Sequence, residues 1–130
     1  MGGFIEMVPS TSTTRATADR VLRQLGKARA KSDHELCLWL LAGFRLSVHT
    51  VHGYASFREY AERVFGFTGR ATEERLRTAG ALEHLPKLSA AFETGEVLYS
   101  VVREVTRVAV PDTEAEWLRA IEGKRAAEVA

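Results

Sequence analysis

The run LCLWLLAGF at residues 36–44 constrains this chain more than any other stretch. It holds no polar side chain, yet a membrane span needs roughly twenty such residues, so protein must cover it. Ser32-x-x-Glu35 stands just before it, in the form of a capping box. In that device the hydroxyl takes an orphan amide while the glutamate reaches back. The pattern predicts a helix launched there and, being apolar on all sides, seated at the centre of the fold.

A chain of 130 residues is one domain, long enough to bury a core. Its 45% hydrophobic and 27% charged residues are those of a soluble globular protein. The formal charge of +1 excludes a protein that binds nucleic acid through net charge alone. The distribution is uneven. Residues 1–31 carry Arg15, Arg20, Arg23, Lys27, Arg29 and Lys31 against Glu6 and Asp19. The single cysteine, Cys37, excludes an internal disulfide, and its apolar neighbours point to a buried, inert thiol. MGGFIEMVPS lacks the basic start and long apolar stretch of a secretory signal, so the expected location is the cytoplasm.

Residues 1–13 mix Gly, Pro, Ser and Thr and read as a mobile N-terminal arm, leaving 14–130 as a single helical domain. From Thr14 the pattern is helical, with Val21, Leu22, Leu25 and Ala28 on one face. Ser56-x-x-Glu59 is a second capping box, followed by a stripe of Phe57, Tyr60, Ala61, Val64 and Phe65. Gly66 is placed as a left-handed stop, with Phe67 folding apolar surface back behind it. Thr68 then caps a helix over 69–82 that carries Thr72, Leu76, Ala79 and Leu82 inward and Arg70, Glu73, Glu74 and Arg77 outward. Pro86 opens a further helix that stops at Gly95. Helical spacing over 97–110 and a last helix carrying Trp117, Leu118 and Ile121 inward follow, the latter ended by Gly123 with another helix starting after it. The expected fold is all-α, a compact bundle of six or seven short helices with a helix-turn-helix-like corner.

No Gly-x-Ser-x-Gly, phosphate-binding loop or distinctive carboxylate pair occurs, and the chain contains no asparagine. His49-x-x-His52 has the spacing of a metal pair, but it lacks an intervening acid and a near third ligand and reads as loop. His34, in the capping turn, and His84, before Pro86, read as solvated. The chain is expected to be no enzyme and to take no cofactor, metal or small-molecule substrate.

Two helices joined by a glycine turn have the geometry by which DNA-binding corners present a second helix to the major groove. Here that helix offers Thr68, Arg70, Arg75 and Arg77, residue types that bond guanine edges or phosphate. Arg20, Arg23 and Lys27 of the first helix are candidate phosphate contacts. Against this, Glu73 and Glu74 repel phosphate, and a corner of this kind also forms simply to fold a bundle.

From residue 36 onward the succession Gly53-Tyr54-Ala55-Ser56-Phe57, Tyr60, Phe67-Thr68, Ala71, Arg75, Ala79, Leu85-Pro86, AAFETGEV at 90–97 and VREVTRVAVPDTEAEWL at 102–118, then Gly123-Lys124, resembles a known helical region. It is the one upstream of the nuclease in bacterial HNH endonuclease-domain proteins of actinobacterial and myxobacterial type. The resemblance implies DNA association or self-association. It carries no catalytic residue onto any position here, and implies either a piece of such a nuclease or a stand-alone relative. Two functions are therefore expected: a non-catalytic module binding double-stranded DNA, or alternatively a protein-interaction module without direct DNA contact, most simply a homodimer built on the N-terminal helix or the central apolar helix.

Overall fold

Thr14 opens the first helix of the computed structural model, which describes residues 14–129, with side chains through Lys124. The arm expected at 1–13 lies outside the described residues. The Thr14 hydroxyl accepts the Thr17 amide at 3.1 Å. From there α1 (Arg15–Arg45) runs 31 residues, about 46 Å at the standard helical rise. The two helices expected on either side of Ser32 are thus one. Nothing between Gly26 and Ser32 breaks a helix, and KARAK is made of strong helix formers, so Ser32-x-x-Glu35 lies in a helix interior.

Nor is the apolar run covered on all sides. Cys37 and Leu40 are buried, whereas Leu38, Trp39 and Phe44 stay exposed. Most of the other described helices stand on one flank of α1, and among the described residues the opposite flank is left largely uncovered. His34, expected in solvent, falls on the covered flank and is buried. Its Nε2 lies 3.1 Å from the Ser89 hydroxyl, and its ring meets Phe92 edge-on at 5.2 Å.

After Ser47, which adopts the left-handed conformation, a 3-10 turn covers Val48–His52, where a loop is expected. The second capping box does form. Ser56 Oγ accepts the Glu59 amide at 3.1 Å, and Glu59 Oε2 accepts the Ala55 amide, one residue before the usual target, at 3.1 Å. Helix α2 (Phe57–Phe65) buries Phe57 and Ala61 but leaves Val64 and Phe65 exposed, so only the first half of the expected stripe points inward. Gly66 ends α2 in the left-handed conformation at φ 73°, as a stop residue does. Thr68 Oγ1 accepts the Ala71 amide at 3.0 Å and opens α3 (Gly69–Leu82).

Helix α4 (Pro86–Glu93) follows Leu85, which has no side chain able to cap it. The missing acceptor comes from far along the chain: buried Glu114 takes the Leu88 amide at 2.8 Å. Helix α5 (Tyr99–Val105) is shorter than the 97–110 pattern, because the chain turns at Thr106–Val108. A 3-10 turn at Pro111–Thr113 leads into α6 (Glu114–Val129), which continues through Gly123 instead of ending there. Gly123 costs a helix about 1 kcal/mol against alanine, too little to stop one by itself. On α6, Leu118 and Ile121 pack against the core, while Trp117 remains partly exposed.

The described residues therefore form an all-α fold of six α-helices and two 3-10 turns, without a strand. Its main core joins α1, α3, α4 and α5 through Cys37, Ala79, Leu88, Phe92 and Val102. A smaller cluster of Leu40, Phe57 and Ala61 holds α2 against the end of α1. Removing the buried ring in Phe57→Ala is expected to destabilise by ~3–5 kcal/mol. Phe65→Ala should lose only about 1 kcal/mol, the stacking of that ring on Phe67. Urea unfolding followed by circular dichroism measures both, and equal losses would contradict this division of the stripe.

Candidate interaction surface

Of the four α3 residues expected to face DNA, the fold leaves one side chain free to do so. Arg70 is exposed. Thr68 is exposed too, but its hydroxyl is engaged in capping α3. Arg75 turns inward. Its guanidinium lies 3.3 Å from Asp33 of α1, and its carbon stands 4.7 Å from the Phe67 ring centroid and 4.2 Å from that of Tyr99. Arg77 is only half-buried, yet every donor group is directed at this chain. It donates to the Thr106 hydroxyl at 3.3 Å and to the Arg103 carbonyl at 2.9 Å, a helix-end acceptor that also takes the Thr106 hydroxyl. Glu74 pairs with both Arg77 and Arg107, and Glu73 pairs with Arg58 at 3.1 Å. The glutamates that seemed set to repel phosphate thus hold the corner and its neighbours together.

Arg20, Arg23 and Lys27 lie on the N-terminal half of α1, with Arg15, Arg29 and Lys31. All six are exposed. Arg23 makes a surface pair with Asp19 at 3.0 Å, worth little in water. The Lys27 stem and backbone lie close against Gly95, where a Cβ would meet the Lys27 carbonyl oxygen at 2.6 Å. That contact is where the body of the fold begins to support α1. From Arg15 to Leu25 every side chain but Thr17 is exposed, so about 16 Å of helix stands clear of the described body. The structure does not bring this basic arm together with Arg70 on one element. Two separate basic features result.

A third feature lies on the central apolar stretch, a candidate dimer face in the sequence, although its groove is not evident there. Along the uncovered flank of α1, an apolar groove of about 400 Å³ runs between its last three turns, the 3-10 turn and α2. Leu36 and Leu40 form its floor side, and Trp39, Leu46, Val51 and Phe65 stand at its edges. Trp39 is 70% exposed, Leu46 79% and Val51 70%. Single exposed apolar residues are ordinary, but a contiguous set of large ones around a concavity marks a binding surface. The signal was available in the sequence: Trp39 lies two residues from Cys37, about 200° around the helix, so both cannot face one core.

Two titratable groups elsewhere in the fold are shifted by burial. Burial pushes the Cys37 thiol up to about 11, which keeps it protonated and unreactive at neutral pH. Burial likewise raises the Tyr99 phenol above its ordinary value. Among the described residues, no three His, Cys, Asp or Glu side chains come together where they could hold a metal ion. No described helix is long and apolar enough to cross a membrane.

Comparison with protein-family models, with curated proteins and with solved structures finds no match to this chain.

The inward and outward arginines of α3 make a direct contrast. Arg75→Ala is expected to destabilise by ~2–3 kcal/mol, less than a fully buried pair because both partners keep some solvent. Arg70→Ala should stay within ~0.5 kcal/mol of wild type. Thermal or urea unfolding of the two variants checks the assignment, and a neutral Arg75→Ala would show that the clamp carries no stability.

Proposed function

We propose that this chain is a non-catalytic protein-interaction module that works through the uncovered flank of α1, forming at its simplest a homodimer. The observation that carries this reading is the groove beside Trp39. Covering apolar area contributes roughly 25 cal/mol for each Å² removed from water, so a contiguous set of exposed apolar side chains around a concavity favours a partner. Trp39, Leu46, Val51 and Phe65 have the composition of an interface centre, aromatic and aliphatic with no charge among them. Trp is also among the residues that most often dominate binding energy.

The basic arm supports a second reading, association with double-stranded DNA, in line with the resemblance to helical regions of HNH endonuclease-domain proteins. Arg15, Arg20, Arg23, Lys27, Arg29 and Lys31 form a row of exposed cations that could neutralise phosphates. The corner contributes less to this reading than its sequence suggests, since Arg75 and Arg77 are engaged within the fold.

Light scattering on the purified chain tests the first reading. Wild type is expected at twice the 14.4 kDa chain mass. Trp39→Glu, which alters an exposed side chain, should fall to the monomer with its helical circular dichroism intact. A wild type that stays monomeric at about 100 µM, where a homodimer of ~10 µM affinity would hold about four-fifths of the chains in pairs, would sink the homodimer. For the DNA reading, a labelled random duplex is titrated at about 50 and 200 mM salt. Six phosphate contacts predict a loss of roughly a thousandfold, and no binding at low salt would remove DNA as a partner.

A further inference from the structure

Within the homodimer reading, the sequence of α1 and the two unpartnered surfaces define how two copies meet. Along the uncovered flank of α1, Leu22, Leu25, Arg29, Ser32, Leu36 and Trp39 recur at intervals of three and four. That is the 3.5-residue spacing by which two helices keep one seam in contact over several turns. The N-terminal half of this seam is the bare arm, with Leu22 67% and Leu25 60% exposed. The C-terminal half is the floor and edge of the groove. One half is slender and convex, and the other is walled by α2 and the 3-10 turn.

We infer that two copies pair as an antiparallel, two-fold symmetric dimer in which the bare arm of each α1 lies in the Trp39 groove of the other. The axis passes between Arg29 and Ser32. Leu22 of one copy then faces Trp39 of the second, and Leu25 faces Leu36, with each contact made twice.

Three observations choose this arrangement over a parallel one. The first is shape. In a parallel pair the walls formed by Phe65 and Val51 of both copies would stand at the same level, and each groove would stay empty. The antiparallel pair sets each wall beside the other copy's bare arm. The second is charge. A parallel pair in register places Arg29 against Arg29 and runs two basic arms side by side. The antiparallel pair moves the arms to opposite ends and sets Arg29, which also reaches Asp33 of its own helix at 4.0 Å, opposite Ser32, with Glu35 and Arg29 of the second copy each one turn away. Arg29 and Glu35 are both exposed and able to meet. The third is area. A fully exposed aromatic side chain gives up ~150–250 Å² when covered, and Trp39 starts 70% exposed. With Leu22, Leu25, Leu46 and Val51, all 60% exposed or more, the faces approach the ~800 Å² that each partner gives to a standard interface.

Added cysteines test the arrangement, since native Cys37 is buried and does not interfere. Leu25→Cys and Leu36→Cys proteins are oxidised separately and as an equal mixture, and linked dimers are quantified on non-reducing gels. The mixture is expected to link at least tenfold more than either variant alone. Self-linking of Leu25→Cys would overturn the antiparallel pairing in favour of a parallel one. A dimer by light scattering with no linking in any sample would place the interface on another face, again overturning the arrangement while leaving the homodimer reading intact. A monomer by light scattering would overturn both. In case cysteine at the seam itself weakens pairing, a charge swap gives a second measurement. Arg29→Glu should weaken the dimer at least tenfold by placing like charges together, and Arg29→Glu with Glu35→Arg should restore it. No weakening by Arg29→Glu would count against the axis position.

Discussion

The guanidinium of Arg75 is the point on which the packing of this fold turns. It is sandwiched between Phe67, in the turn before its own helix, and Tyr99, at the start of α5, and it reaches Asp33 on α1. One planar cation thereby locks three helices and the α2–α3 turn in a fixed relation. A planar charge suits this place because its faces stack on rings while its edge bonds a carboxylate, which an ammonium cannot do at once. Arg77, two residues on, does similar work at the far end of α5. The helix that a sequence reader would send into a DNA groove is thus largely directed at its own protein.

With α3, α4 and α5 gathered on one flank, α1 is left asymmetric. Its second half carries the core on one side through Cys37, and Trp39 faces away from it. Its first half extends beyond the body with Leu22 and Leu25 uncovered. A single helix therefore presents a bare apolar ridge and an apolar groove on the same line. Exposed apolar area of this kind sets the flank apart from a merely solvated face, and the proposed interaction function rests on it.

Several parts of the fold were legible in residue order because they depend on neighbours within one turn. Ser56 and Thr68 cap helices where the hydroxyl pattern put them, and Gly66 stops α2 with a left-handed backbone. The burial of Cys37 also followed from its surroundings. Where local signals were followed too far, the misreadings share a cause. Ser32-x-x-Glu35 has the form of a cap but lies in a continuous helix, and Gly123 has the form of a stop but is passed over. A cap or stop residue acts only if the backbone leaves the helix there, and flanking helix formers decide that.

By itself, then, the sequence determined an all-α chain, most of its helix ends and the identity of its apolar residues, because capping and periodicity act over three or four residues. Tertiary structure decided the rest. It chose which flank of α1 is covered, turned Arg75 and Arg77 inward, and buried His34 against Phe92. It also recruited Glu114 from α6 to cap α4, a bond across 26 positions. These outcomes depend on which helix arrives beside which, through contacts between residues far apart in the chain. The Trp39 groove belongs with them: its residues are written in the sequence, but its openness exists only because no described helix packs on that flank.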